Sequence, residues 1–380
     1  MSTPSDPAAM RRVEITRRHD LLDASGAPIS AKQRWAGLLA EDAPVVRALV
    51  HQGLAFARQH APEWLRKAAT WLAFQGLVRK LDRWYVAEIT AIAETLGFSV
   101  YDMAMIQQQY TWGHLGGCTT TAFWDERRGE AVHARSLDWA MVDELSAATR
   151  VLECFGRTQD SVPRYRAAAV AGAVGLLTAV KPGAFSVSIN YSPWKGVGYF
   201  MDPTVRLREV MDDPGIDSFA RAVDALSNPR RTVGAAVFFT VCGTRPEEIS
   251  VIEWSRPPLL PWMEGECHHR GASRSEGGRL IVQANHHDLG GPWAKRNRSA
   301  LPYAIDDDKT AYEAELEETS LARQLAMDRA VRRGLADPQG PLPSVLAALR
   351  VPPVWNHETT QWVVMRPASG QLEAWARTGS

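Results

Sequence analysis

At Gly116-Gly117 the chain changes character, and any fold it adopts must accommodate that seam. Before it, Leu38 to His60, Pro62 to Arg83 and Trp84 to Leu96 space apolar residues three and four apart with charges between, the pattern of amphipathic helices. Gly97 stops the third helix, and Ser99 caps a further one running through Asp102 and Met105 to about Tyr110. After the seam, Cys118 to Phe123, Glu130 to Ala134, Arg150 to Phe155, Ala167 to Leu177 and Phe185 to Tyr191 are short, β-rich and separated by turn residues. Ser218 to Leu226 reads as a helix, and Ala235 to Val241, Ile249 to Glu253 and Leu280 to Gln283 as strands. Thr310 to Gly334 is charged and helical; Trp362 to Arg366 and Gln371 to Ala376 close the chain as a hairpin-like pair. Strands, then helices, then strands again predict an α+β layered body behind an all-helical front segment.

With 380 residues the chain can bury a large core, as one large domain or two medium ones. Lys+Arg and Asp+Glu both count 43, so there is no basic footprint and no nucleic acid is expected as a partner. Cys118, Cys154, Cys242 and Cys267 are too few and scattered to staple the fold. Met1 to Asp20 is polar and charged, unlike a secretory signal, and the longest apolar run, Ala167 to Val180, is too short for a bilayer. A soluble, cytoplasmic protein without disulfides is expected. Between Trp64 and Trp84, tryptophans alternate with basic residues. Such a stretch usually packs as an amphipathic helix; peripheral contact with a lipid surface through 64–84 is the alternative.

Cys118 opens the first strand after the seam. Alone it would read as an inert core thiol. It has company, however: Arg135 and Asp138 end the next strand, Asn190-Tyr191 ends a later one, Asn285 another, and Arg298-Ser299 follows. Taken singly, Arg135 with Asp138 would be a structural ion pair, and Asn285 a turn residue. Cys267-His268-His269 and His286-His287-Asp288 carry ligand types but are adjacent rather than spaced, and Cys267 falls in a polar, Gly-rich stretch read as a loop. No metal is expected, and without a G-x-x-x-x-G-K, H-E-x-x-H or G-x-S-x-G pattern no cofactor is expected either.

Together these pieces resemble the acid ceramidase and N-acylethanolamine-hydrolysing acid amidase family, and more distantly choloylglycine hydrolases and penicillin acylases. Glu88 to Gly97 resembles the family's helix before the nucleophile, Cys118-Thr119-Thr120 its cysteine motif, and Ala134-Arg135-Ser136-Leu137-Asp138 its G-R-N-x-D motif. Gly175 to Thr178, Lys181 to Ser186, Gln283-Ala284-Asn285 and Arg298-Ser299 match further blocks. The resemblance implies a four-layer αββα N-terminal-nucleophile hydrolase, made as a precursor that cuts itself before Cys118. Residues 1–117 would become a helical α-subunit and 118–380 the catalytic β-subunit, the two remaining associated.

Carried over residue by residue, Cys118 resembles the nucleophile, with Arg135 and Asp138 around it, Asn285 in the oxyanion hole and Arg298 in support; Arg296, two residues earlier, could replace Arg298. Tyr191 stands where ceramidase and the acid amidase carry an acidic residue, so that Asn190-Tyr191 resembles instead the Asn-Tyr pair of choloylglycine hydrolases, whose backbone donates to the oxyanion. Asn285 is followed by His286, where the family more often shows an aromatic residue. The chemistry is coherent. The cysteine's own α-amine, with an ordinary pKa of about 7.7 to 8.0, can take the thiol proton, but it exists only once the Gly117–Cys118 bond opens. Arg135 is expected to favour the thiolate, Asp138 to aim the new ammonium, and Gly116-Gly117 to permit a strained backbone. The expected activity is hydrolysis of linear N-acyl amides with an apolar acyl group. The alternatives are an acyltransferase passing the acyl group to an amine, and a lipid- or partner-binding protein that never matures.

Overall fold

Segments rich in β-branched and aromatic residues pair wherever they can bury both faces, and two sheets result in the computed structural model. It describes residues 10–60, 83–108, 116–192, 202–254 apart from 232, 265–275, 278–288, 291–292 and 306–378, with isolated positions at 71, 74, 75 and 78. The seven-stranded sheet runs β1 (Met10–Arg12), β15 (Gln371–Arg377), β14 (Thr359–Arg366), β4 (Glu130–Trp139), β3 (Gly116–Asp125), β13 (Gly278–Gln283), β12 (Ser273–Ser275). The eight-stranded sheet runs β11 (Cys267–Gly271), β10 (Ile249–Trp254), β9 (Val237–Cys242), β8 (Phe185–Tyr191), β7 (Thr178–Lys181), β6 (Tyr165–Val170), β5 (Thr149–Arg157), β2 (Thr16–Leu22). Among the described residues, the strand pairings are antiparallel except β2 with β5.

Every residue of β8 is buried, and its alternation shows why. Phe185, Val187, Ile189 and Tyr191 join an apolar core under the helices of one outer layer. Ser186, Ser188 and Asn190 take polar partners on the seven-stranded sheet instead: His133 bonds Ser186 and Ser188, and Thr120 bonds Asn190. Helices α6 (Pro203–Asp212) and α7 (Phe219–Leu226) share that outer layer with the front helices α1 (Ala31–Leu39), α2 (Ala43–His60), α3 (Arg83–Leu96) and α4 (Val100–Ile106). A short α5 (Val142–Ala148) follows β4. On the other side α8 (Asp306–Ala336) and α9 (Pro341–Ala348) bury Met327, Val331, Leu335 and Val345 against Phe123, Trp362 and Val364. Helix, sheet, sheet, helix is the α+β layering expected.

The front segment departs from the all-helical expectation, because two strands precede its helices. β2 reads Thr-Arg-Arg-His-Asp-Leu-Leu, a charged string that sits as an edge strand, where charge is tolerated. The expected helix from Leu38 divides at residues 40–42 into α1 and α2, and Ser30 caps the first. Gly97 adopts φ +77° beyond α3, and Ser99 caps α4, which ends at Ile106 rather than near Tyr110. The run from Ala167 to Leu177 is not one strand: β6 stops at Val170, and Gly172 turns the chain with φ +78°. Cys267 begins β11 and is not in a loop. Helices α5, α6 and α9 and strand β12 were not expected from the periodicity. Most of 64–84 lies outside the described residues; no single described helix is long and apolar enough to cross a membrane.

Charges hold the front segment to the body. Glu88, fully buried on α3, accepts from Arg34 of α1 at 2.7 Å and from Arg208 of α6 at 2.6 and 3.0 Å. Asp212 accepts from Arg208, from Tyr85 of α3 and from Tyr165 of β6. Two acids and two guanidiniums therefore neutralise one another across the Gly117/Cys118 boundary.

Candidate active site

Antiparallel register assembles the site. In the β3–β4 hairpin Gly117 lies opposite Asp138, Cys118 opposite Leu137 and Thr120 opposite Arg135. Alternation puts Cys118, Thr120 and Arg135 on the face between the sheets, and Gly117 and Asp138 on the face beneath α8. Arg135 and Asp138 thus stand on opposite faces of β4 and are no ion pair.

Between the sheets, Arg135 Nη2 donates to Cys118 Sγ at 3.1 Å and to the Ile189 carbonyl at 2.7 Å, while Nη1 donates to Thr178 Oγ1. Arg135 favours the Cys118 thiolate, as its charge leads one to expect, but in the intact chain burial outweighs it. Burial pushes the thiol up, the Arg135 guanidinium opposes that, Asp138 adds to the rise and Arg323 opposes it; the net direction is upward. A protonated thiol is the consequence.

Asn285, just beyond β13, accepts the Cys118 N–H on Oδ1 at 2.9 Å. Its Nδ2 donates to the Tyr191 carbonyl at 2.7 Å, which orients the amide and leaves a second N–H on that nitrogen. Asn190 is close but engaged: Oδ1 accepts from Thr120, and Nδ2 donates to the carbonyls of Gln283 and Ala284. Its side chain joins the sheets. On the outer face Asp138 Oδ1 accepts from Ser136 and Thr359.

Arg298, and Arg296 beside it, lie outside the described residues. A guanidinium that sequence reasoning missed stands at the site: Arg323 of α8 donates to the Cys118 carbonyl at 2.8 Å, to Asn285 Oδ1 at 2.8 Å, to Thr119 Oγ1 and to Asp138 Oδ2. Its signal was an arginine in step with Met327, Ala330 and Val331, on the apolar stripe of an otherwise charged helix. The glycine before Cys118 also has a different reason from the one expected. Gly117 does not take a left-handed φ; a Cβ there would lie 3.1 Å from Asp138 Oδ2 and 3.4 Å from Arg323 Nη2, so the position requires space rather than strain.

One residue beyond Asp138, Trp139 borders an apolar cavity of about 90 Å³. Val46, Leu49 and Ile106 line it from the front segment, Leu145 and Leu177 from the body. The Leu177 carbonyl accepts the N–H of Ile189, whose own carbonyl receives Arg135.

No protein-family model matches the chain. It is 26% identical to acid ceramidase of Mus musculus over 171 residues, 42% of each protein. It is 24% identical to the N-acylethanolamine-hydrolyzing acid amidase of Caenorhabditis elegans over 261 residues, 60% of this chain and 66% of that protein. The chain thus spans 42% of the length of the acid ceramidases it matches. The solved structure of the Caenorhabditis elegans acid amidase ortholog superposes with a TM-score of 0.50 at 18% identity, over 68% of this chain and 99% of that one. The chain has the fold of the N-terminal-nucleophile hydrolases. In that fold Cys118 sits near the start of a central strand, with Arg135, Asp138, Asn285 and Arg323 gathered around its sulfur, nitrogen and carbonyl.

Proposed function

We propose that this protein is a cysteine amidase that opens its own Gly117–Cys118 bond and then hydrolyses linear N-acyl amides with an apolar acyl group. What supports this most is one observation: the thiol of Cys118 is bonded by a guanidinium while its backbone N–H is held by Asn285. In the first stage Sγ attacks the Gly117 carbonyl carbon, the C–N bond breaks, and the Cys118 nitrogen takes the thiol proton. Water then hydrolyses the Gly117 thioester, leaving a carboxylate, a free thiol and a free α-amine. Residues 1–117 and 118–380 become two associated fragments.

In the second stage the α-amine accepts the thiol proton as sulfur attacks the substrate's acyl carbon. The second N–H of Asn285 and the backbone N–H of Tyr191 donate to the oxyanion, Arg135 steadies the sulfur, and Asp138 and Arg323 hold the polypeptide around the new terminus. The amine leaves with the proton from the α-ammonium, and water resolves the thioester to a carboxylic acid. For the acyl group an apolar surface is available in the cavity beside Trp139.

Intact-mass measurement of the purified protein tests the first stage. Two fragments meeting at Gly117/Cys118 are expected, and a single uncut chain from Cys118→Ala. Release of aminocoumarin from N-acyl aminocoumarins, butanoyl to palmitoyl, tests the second, and an added amine reports any transfer in place of hydrolysis. A wild type that turns over while uncut, or a Cys118→Ala chain that retains activity, contradicts the reading.

A further inference from the structure

Beside the two proposed oxyanion donors, three buried polar residues stand in line. Ser192 Oγ lies 3.3 Å from His287 Nε2, and His287 Nδ1 lies 3.1 Å from Glu253 Oε2. Burial pushes the Glu253 carboxyl up, but the His287 ring and the Arg270 guanidinium more than offset it and hold the group below its usual range. A carboxylate only accepts, so Nδ1 donates to Glu253, and Nε2 faces the Ser192 hydroxyl.

What the three residues join decides their role. Ser192 directly follows Tyr191 at the end of β8, in the eight-stranded sheet, and its N–H donates to the Ala236 carbonyl. His287 stands two residues beyond Asn285, past the end of β13, in the seven-stranded sheet. Glu253 is held in β10, where Arg270 of the adjoining β11 donates to it and also to the Gln283 side chain on β13. Phe238 and the imidazole meet in a T-shaped pair with ring centroids 4.9 Å apart. The line of hydrogen bonds therefore crosses from one sheet to the other at the point where their strand ends present Tyr191 and Asn285. Those two are themselves joined, Asn285 Nδ2 to the Tyr191 carbonyl.

We propose that Ser192, His287 and Glu253 are positioning residues that hold the Asn285 amide and the Tyr191 backbone at the separation an oxyanion requires. The inference rests on Cys118 being the nucleophile. Physically, Asn285 lies on an irregular segment beyond its strand, and a donor displaced by even 1 Å loses on the order of a hundredfold in rate. Three fixed hydrogen-bonding groups on two sheets prevent that displacement without touching the substrate.

The test measures aminocoumarin release per mole of cut protein for the wild type, Ser192→Ala, His287→Gln, His287→Ala and the Ser192→Ala/His287→Ala double variant. Ser192→Ala and His287→Ala are expected to lower kcat about tenfold to a hundredfold with KM within about twofold of wild type. The double variant should be no slower than His287→Ala, because the residues act as one unit. His287→Gln, which can still reach Ser192, should recover part of the loss. Ser192→Ala removes a single hydroxyl and keeps the test decisive if His287→Ala does not fold. A kcat within twofold of wild type in Ser192→Ala overturns the proposal, as does a loss carried by KM or losses that multiply in the double variant. A wild type that never splits overturns the nucleophile reading itself, and this inference with it.

Discussion

Gly117 is extended, so what its missing side chain provides is room beside Asp138 and Arg323. Gly117→Ala is therefore expected to fold and to slow the proposed self-cleavage about tenfold to a hundredfold, since a methyl group would push apart the groups flanking the Gly117–Cys118 bond. Mass spectrometry of the fresh protein over time measures this, and a wild-type rate contradicts it. Arg323→Gln should act similarly, because it removes the donors to the Cys118 carbonyl and to Asn285 Oδ1. Its loss should be visible as uncut chain accumulating before any change in secondary structure. At this scale the sequence was informative about strand-borne groups. Cys118, Arg135, Asp138 and Asn285 come from the ends of segments whose β character was readable, and register brings them together. Arg323 was hidden because a single guanidinium in a helix with many charges looks solvated until the apolar stripe is traced. Asn190 shows the reverse case: expected at the site, it has its amide occupied in joining the sheets.

Helix α3 was readable from spacing and from its glycine stop, yet nothing local shows that Glu88 is its anchor. Only the folded chain brings Arg34 and Arg208 to it from positions far apart in sequence. Glu88→Ala leaves two guanidiniums buried without their shared acid, and loss of one partner of such a network costs on the order of 3–5 kcal/mol. Urea denaturation of the uncut Cys118→Ala chain, with and without Glu88→Ala, checks this in a single-chain background; equal midpoints would contradict it. β2 was not readable for a related reason. Arg17, Arg18 and Asp20 disguise an edge strand whose parallel partner, β5, lies more than a hundred residues away. Short helices such as α5, with fewer than two turns to display a period, gave no usable pattern.

Across the whole molecule, buried imidazoles set a response to acid. Burial, then the Arg135 charge, pushes His133 down to about 3; burial, then Arg270 and Arg323, pushes His286 down to about 4. An unfolded histidine titrates near 6.5, so between about pH 6.5 and those values the unfolded chain binds protons that the folded chain refuses. Stability is then level above about pH 7 and falls as pH drops, by up to about 1.4 kcal/mol per pH unit for each such group. Urea midpoints at pH 7.5 and about pH 4.5 measure the effect, and a midpoint unchanged or raised in acid refutes it.

The two strands that precede the front helices have a consequence of their own. β1 forms the margin of one sheet and β2 the margin of the other. Losing the smaller fragment would strip both margins at once, leaving β15 and β5 with rows of backbone N–H and C=O groups facing water. Such a remnant would seek new strands from its own kind. A preparation that shed its front piece should therefore scatter light, not merely fall silent in an assay.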